Sequence, residues 1–225
     1  MTVDLSTWTP RQRPGRTPLK GRFCTLEPLD PARHGPSQYT HHTTLDPDGV
    51  LWRHLPYGPF HTEEAYRAHL ERQAVSEDPQ FFAVVDAVRG EAVGVASLMR
   101  INPEHGTIEV GHICFTPLLQ RTPAATEMIR LFAGHVFDDL GYRRFEWKCN
   151  NANDASKRAA ERFGFQPEGV FRQHMVVKGA NRDTAWFAMV DGEWPQLRAA
   201  MDGWLAPENF DAEGRQIRPL SAFKG

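Results

Sequence analysis

The sequence has 225 residues, of which 40% are apolar, with 14 Phe and 6 Trp, so it holds enough bulky material for the core of one large domain. Lys and Arg total 26 and Asp and Glu 28, and this balance argues against a protein that coats nucleic acid through a basic excess. No stretch approaches the roughly 20 apolar residues that cross a bilayer, and residues 1–20 lack the apolar core of a signal peptide. We therefore expect a soluble protein without a nucleic-acid or membrane partner.

Histidines and cysteines are the residues that would indicate a metal site. The ten His are scattered, and Cys24, Cys114 and Cys149 lie far apart in strand-like segments. This arrangement predicts no metal, no disulfide framework, and three free thiols in a reducing cytoplasm. A catalytic thiol at Cys149 is a lesser alternative, because no neighbouring pattern supplies an activating base.

The first third of the chain predicts an arm, a strand and two helices. Residues 1–20 contain three Pro, four basic residues and a lone Trp8, which is typical of an extended arm. Residues 22–29 alternate as a half-buried strand does, and residues 31–44 are a helix candidate. Residues 62–77 form a stronger helix candidate with Thr62 as its N-cap.

The middle of the chain predicts three consecutive strands. Residues 81–87 and 92–101 are joined by the turn 88–91, and residues 107–115 follow as the next strand. Gly111, inside that third strand, indicates a bulge or a close backbone approach.

The pattern then changes to alternating helices and strands. Helices are predicted over 124–140, 153–163 and 193–205, with Gly141 and Gly164 ending the first two. Strands are predicted over 143–149, 169–177 and 184–190, with the turn 178–181 between the last two. The whole reads as an α/β chain with a mixed sheet: one domain over 21–205, the arm 1–20 before it, and a tail or strap over 206–225.

The loop that enters the 124–140 helix predicts an anion site. A helix start presents unpaired backbone N–H groups and a positive dipole end, and a diphosphate is a typical occupant. Thr122 is placed to cap this helix, and Pro123 suits its first position. Arg121 adds a cation, while the small side chains of Ala124 and Ala125 let a phosphate approach.

Six short motifs stand in order along the chain: Glu109–Val110–Gly111, Gln120 to Ala125, Leu140–Gly141–Tyr142–Arg143–Arg144, Asn153 with Ser156, Phe163–Gly164–Phe165, and Glu168 to Arg172. Taken together, over roughly residues 19–189, they resemble the GNAT superfamily of acetyl-CoA-dependent N-acetyltransferases, in which Gln120 to Ala125 would be the pyrophosphate loop, and within it the ribosomal-protein N-terminal acetyltransferases of RimJ/RimL type. Pro123 stands where the family loop has its first glycine, so one backbone contact to phosphate is absent or is replaced by Arg121 or Thr122.

The resemblance implies a central, mostly antiparallel twisted sheet in which the strands over 107–115 and 143–149 splay apart. Acetyl-CoA would lie in that gap, held by backbone groups freed near the bulge and by the pyrophosphate loop. The cofactor-binding residues implied are Ile113, Phe115, Gln120, Arg121, Thr122, Ala124, Ala125, Asn153 and Ser156. Asn153 has a structural alternative, which is to cap the helix that follows it.

Acetyl transfer needs a neutral amine, and an amine with a pKa near 8 to 10 is mostly protonated at pH 7. The resemblance makes Glu109 the preferred base, directly or through water, with Glu146 a weaker rival. Glu109 could instead be a strand residue that merely pairs with a basic neighbour. Many relatives carry a Tyr as the leaving-group acid at the position of Ala160, so Ser156, water or an unassisted thiolate takes that role here.

The acceptor is expected to be a primary amine: a protein N-terminus, an amino acid or its derivative, or another small molecule. Large amphipathic residues on the early helices and the late hairpin are the candidates for its pocket: Trp52, His54, Tyr57, Arg172 and His174. A non-catalytic module that senses acyl-CoA, and a structural protein with a vestigial cleft, are the alternatives. A homodimer is possible, but no apolar stripe in the sequence defines its interface.

Overall fold

Eight strands form one sheet in the order β1-β2-β3-β4-β5-β6-β8-β7, in a computed structural model that describes residues 4–224. The strands are β1 (Leu19–Lys20), β2 (Cys24–Pro28), β3 (Gln80–Asp86), β4 (Ala92–Asn102), β5 (Thr107–Phe115), β6 (Arg144–Asn150), β7 (Gln166–Val177) and β8 (Ala180–Val190). All neighbouring pairs are antiparallel except β5 and β6, which are parallel. The predicted mixed, mostly antiparallel sheet is confirmed.

Within residues 4–224, five α-helices flank the sheet, and three of them begin after caps read from the sequence. They are α1 (Pro31–Leu45), α2 (Glu63–Ala74), α3 (Pro123–Gly134), α4 (Asp154–Phe163) and α5 (Trp194–Leu205). The side chains of Thr62, Thr122 and Asn153 each accept a hydrogen bond from a backbone N–H in the first turn of the helix that follows. The helix predicted over 124–140 instead ends at Gly134 and continues as a π-helical turn, His135–Asp139.

The sheet is covered on both faces, and β3 shows how. Phe82 and Val84 point into a large apolar core beneath α3 and α5, whereas Phe81, Ala83 and Val85 point into a smaller cluster beneath α1 and α2. Because successive side chains of a strand face opposite ways, a strand buried on both faces must be apolar throughout. This explains the unbroken apolar run of residues 81–85.

The sheet opens between β5 and β6. Their parallel pairing runs only from Thr107 with Arg144 to Val110 with Trp147. Immediately beyond, His112 and Ile113 together face the single residue Ala96 of β4, and His112 has a φ of 50°. The predicted bulge is therefore present, and it bends β5 away from β6.

Both end segments of the chain pack against the sheet domain. Trp8 donates from its indole nitrogen to the Glu104 carbonyl (2.8 Å), and its ring would meet any side chain added at Gly106. In the tail, Asn209 donates to the Trp204 carbonyl (2.9 Å), and Leu220 is buried in the main core. The boundaries placed at residues 21 and 205 stay a prediction.

Candidate active site

A cleft of about 920 Å³ occupies the gap between β5 and β6. One end lies at the start of α3, and we call it the cofactor end. The other end lies between residues 50–56 and the β7–β8 hairpin, and we call it the acceptor end. The volume of the whole cleft falls within the usual range for sites that bind small molecules. The edges that would have paired β5 with β6 face each other across it, from Gly111 to Phe115 and from Lys148 to Asn150.

The cofactor end is a site for anions. Among the hydrogen bonds within residues 4–224, none uses the backbone N–H groups of Arg121 or Ala124 as donor to a protein acceptor. Three arginines also line the cleft, Arg121 in the loop and Arg158 and Arg162 on α4, and Arg162 reaches α3 by donating to the Thr126 hydroxyl (2.9 Å). Free N–H groups, the positive end of α3 and these cations together fit a diphosphate.

Individual residues of the predicted loop take different places at this end. Gln120, Arg121, Thr122 and Ala125 line the cleft, as do Ile113 and Phe115 on β5, whereas Ala124 is buried in the core and is absent from the lining. Gln120 donates to the Phe115 carbonyl (2.9 Å), which ties the loop to β5. Their part in binding a cofactor stays a prediction.

At the middle of the cleft floor lies a buried group of charges centred on Glu109. One carboxylate oxygen of Glu109 is 2.9 Å from Lys148 Nζ and 2.9 Å from Arg100 Nε. Lys148 also lies 2.7 Å from Glu146, which pairs with Arg144. The sequence left open whether Glu109 is a base or the partner of a basic neighbour, and the structure gives it two such neighbours inside the cleft.

The pKa values of Glu109 and Glu146 are shifted in opposite directions by their surroundings. Burial raises the pKa of Glu109 above its usual value, against the opposing attraction of Lys148 and Arg100. Burial acts in the same direction on Glu146, but hydrogen bonds from Lys148 and Arg144 outweigh it, so the pKa of Glu146 is lowered. Glu109 is therefore the better proton acceptor of the pair.

Ser156 and Asn153 lie at the start of α4, on the β6 side of the cleft. The Ser156 hydroxyl accepts a hydrogen bond from Trp147 Nε1 (3.0 Å), and because an indole nitrogen only donates, the hydroxyl hydrogen remains available to another acceptor. Asn153 accepts from the Ser156 N–H (3.1 Å), which confirms its structural role as a cap. Burial raises the pKa of the nearby Cys149 thiol, which does not favour a catalytic thiolate.

Of the five residues proposed for the acceptor pocket, two line the acceptor end: His54 and His174. Tyr57 stands one layer behind, with its hydroxyl 3.1 Å from Nδ1 of His112, which itself lines the cleft. The Trp52 side chain is buried in the smaller cluster, packed between aromatic rings and Gly58. Arg172 is exposed in a separate shallow depression with Asn181 and Asp183. The structure thus does not bring Trp52 or Arg172 into the cleft.

Sequence reasoning missed several polar residues that line this cleft, among them Arg100, His112, Lys148 and Arg182, and Arg158 and Arg162 on α4. A signal existed for Lys148, since charged residues recur at every second position along β6 from Arg144. Such a period places them on one face of a strand. No comparable signal marked Arg182, because its place in the cleft depends on where β8 runs beyond its last pair with β6, Thr184 with Asn150.

Comparison with known proteins decides the family. Residues 25–166 match the model of the acetyltransferase (GNAT) domain. The chain belongs to the GNAT acetyltransferase family. A curated relative, the uncharacterized N-acetyltransferase YoaA of Bacillus subtilis (strain 168), is 30% identical over 129 residues, which are 52% of this chain and 72% of that protein. The chain is thus a GNAT enzyme, and its fold is the GNAT fold.

Solved GNAT structures support the same assignment over almost the whole chain. A GCN5-related N-acetyltransferase from Brucella melitensis is 49% identical with a TM-score of 0.95, covering 98% of this chain and 99% of its own. A probable GNAT acetyltransferase from Chromobacterium violaceum ATCC 12472 is 40% identical with a TM-score of 0.79, covering 87% and 96%.

The expected likeness to the RimJ/RimL branch is more distant. The ribosomal L7/L12 α-N-protein acetyltransferase RimL, solved with coenzyme A, is 20% identical with a TM-score of 0.66, covering 78% of this chain and 99% of its own. Identity at that level supports a shared fold alone.

Within residues 4–224, no helix has the length and apolar character to span a bilayer, and no three His, Cys, Asp or Glu residues are grouped to hold a metal.

Proposed function

We propose that this GNAT enzyme transfers an acetyl group from acetyl-CoA directly to a primary amine while both are bound. One observation carries the proposal: the cleft between β5 and β6 joins an anion site at the start of α3 to a buried carboxylate, Glu109, on its floor. A thioester cofactor with a diphosphate needs the first feature, and an amine that must lose a proton needs the second.

The cofactor end supports acetyl-CoA as the donor. The free N–H group of Arg121 and the cations of Arg121, Arg158 and Arg162 would hold the diphosphate. The free β5 edge beyond Gly111 offers backbone groups for the rest of the cofactor. Bound in this way, acetyl-CoA supplies an activated acetyl group.

In the reaction, the amine nitrogen attacks the thioester carbonyl carbon, a new C–N bond forms, and the C–S bond breaks. The amine gives up one proton to Glu109, directly or through water, and the sulfur leaves with the bonding pair. Because burial raises its pKa, the Glu109 carboxylate is a stronger base than an exposed glutamate. Arg100 and Lys148 hold it in place.

The leaving thiolate takes a proton from water or from Ser156, which water then reprotonates, while Glu109 releases the proton that it accepted to solvent. Trp147 fixes the Ser156 oxygen by donating to it, which leaves the hydroxyl hydrogen free to turn toward the cleft. Proton donation need not contribute much to the rate, because a thiol with a pKa of about 8.5 is already a tolerable leaving group.

The acceptor classes that this proposal covers are a protein N-terminus, an amino acid derivative and another small amine. We further propose that the enzyme works in the cytoplasm, since Cys24, Cys114 and Cys149 are all free and buried.

The test is incubation of the purified protein with acetyl-CoA and a panel of amines. Release of free thiol gives the rate, and mass spectrometry identifies the acetylated product, with an amine-free reaction to subtract hydrolysis. Turnover on at least one amine is expected, together with thermal stabilisation by coenzyme A. Stabilisation without turnover on any amine favours the sensor alternative, and neither effect favours a vestigial cleft.

A further inference from the structure

Arg182 is a cation of the cleft that no carboxylate within the described part of the chain neutralises. It lies on β8, half-buried, and its Nε donates to the Thr184 hydroxyl (3.2 Å). No Asp or Glu within residues 4–224 forms an ion pair with it. Burial lowers the pKa of its guanidinium, and the opposing influences of Cys149 and Glu109 do not outweigh it.

The nearby charges do not remove this imbalance. Two cations, Arg100 and Lys148, already engage Glu109 at 2.9 Å each. The other carboxylate that lines the cleft, Asp154, pairs with Lys157 (2.9 Å) at the start of α4. A partly desolvated guanidinium is costly unless it is paired, and an Arg presents a planar fork of donors that suits a carboxylate. The site is therefore incomplete without an anion from outside the protein.

Apart from charged side chains, among them Arg53 beside His54, the acceptor end is largely apolar. Its other walls are formed by aliphatic and thioether side chains: Leu51, Leu55, Met99, Met175 and Val177. Such walls suit an apolar substituent.

The two walls of the acceptor end are also joined to each other. Lys178, at the tip of the β7–β8 hairpin, donates to the Trp52 carbonyl (2.9 Å), 126 residues away in sequence. This hydrogen bond connects the hairpin to the segment 50–56. A bridged end restricts an acceptor that continues as a polypeptide, whereas a small molecule fits beneath it.

We propose that the acceptor is a small apolar amine that carries a carboxylate, such as a free apolar amino acid. Arg182 would bind its carboxylate. The proposal rests on the amine acetylation proposed above and narrows its acceptor. The carboxylate on Arg182 would hold the α-amine near Glu109, and the side chain would lie against the apolar walls.

Matched acceptors test the charge directly. We would measure KM and kcat for leucine, methionine and phenylalanine, for their amides, for a short peptide with the same N-terminal residue, and for an aminoalkyl phosphate. We expect KM at least about tenfold lower for each acid than for its amide, as expected for one charge-assisted pair. The amine of the amide is less basic than that of the acid, so a larger fraction of it is neutral at pH 7. Protonation of the amine would therefore favour the amide and cannot explain a preference for the acid.

Variants locate the preference at Arg182. Arg182→Gln should bring the acid and amide KM values within about twofold, mainly by raising KM for the acid. Arg182→Lys, which keeps the charge but loses the fork, should retain part of the preference. Arg89→Gln, on the exposed turn after β3, is the control and should keep all of it.

Each other outcome has one meaning. Turnover on amides or peptides that equals or exceeds that on the acids overturns this inference but leaves amine acetylation standing. A preference for the aminoalkyl phosphate also overturns it, because the bound anion is then not a carboxylate. If the preference for the acid persists in Arg182→Gln, another residue binds the carboxylate, and the assignment of Arg182 is wrong. No turnover on any amine defeats the proposed function itself.

Discussion

The two ends of the cleft are built in different ways. The cofactor end is one contiguous strand, loop and helix, β5 to α3, lying on the large apolar core. The acceptor end combines residues 50–56, the β5 bulge and the β7–β8 hairpin, and lies on the smaller cluster. That cluster is associated with buried histidines, among them His42 and His69.

This difference separates cofactor binding, which the whole family needs, from acceptor selection, which differs between individual enzymes. A local segment can hold a diphosphate with backbone groups, which every sequence supplies. The acceptor end instead depends on side chains from distant parts of the chain, so each can change without disturbing the cofactor. We therefore expect substitutions at the two ends to affect different kinetic constants, and four predictions test that expectation.

The largest effect is expected at Glu109, between the two ends. Glu109→Gln should lower kcat by about 100-fold or more, since it removes the proposed base. Neither the Kd for coenzyme A nor the amine KM should change by more than about threefold. Steady-state kinetics and calorimetry measure these values, with Glu208→Gln as an exposed control. Unchanged kcat would assign Glu109 to ion pairing alone.

Acid should destabilise the acceptor side. Burial lowers the pKa of His42 and of His69 to about 4 from 6.5. The unfolded chain therefore binds more protons between these values, so their stabilising contribution is complete above pH 6.5 and is lost as pH falls towards 4. For His42 the loss is roughly 3 kcal/mol at most.

Denaturant unfolding from pH 7 to pH 4.5 measures this loss. His42→Phe keeps an aromatic ring against Trp52 and Tyr66 and should make the free energy of unfolding less dependent on pH. His105→Gln, on an exposed turn, is the matched control. An identical pH dependence in wild type and His42→Phe would contradict the role of His42.

At the cofactor end, charge reversal should act on the cofactor alone. Arg121→Glu should raise KM for acetyl-CoA about tenfold and leave the amine KM unchanged, because a carboxylate would repel the diphosphate. The effect should shrink at high salt, since Arg121 is exposed. A matching rise in the amine KM would break the proposed independence of the two ends.

The smallest effect is expected at Ser156. Ser156→Ala should lower kcat by no more than about tenfold, because water can protonate a thiolate in its place. It also leaves Trp147 Nε1 without its acceptor, so a stability loss of about 1 kcal/mol is expected. Thermal unfolding and thiol-release kinetics separate the two effects. A loss of 100-fold would make Ser156 the main acid.

The sequence alone determined the features that depend on near neighbours. The caps at Thr62, Thr122 and Asn153, the strand with its bulge after Gly111, and the loop into α3 each depend on a few consecutive residues. Even there, the end of α3 was placed too late, because the π-helical turn after Gly134 continues the same apolar face.

Tertiary structure decided which distant side chains meet. The Lys148 pair with Glu109 follows from the parallel register of β5 and β6, and Arg182 reaches the cleft where β8 continues beyond its last pair with β6, Thr184 with Asn150. The same packing buried Trp52 and left Arg172 outside, although both have suitable side chains. Local patterns report secondary structure, whereas a site assembled across a sheet depends on strand order and register, which no short stretch of residues encodes.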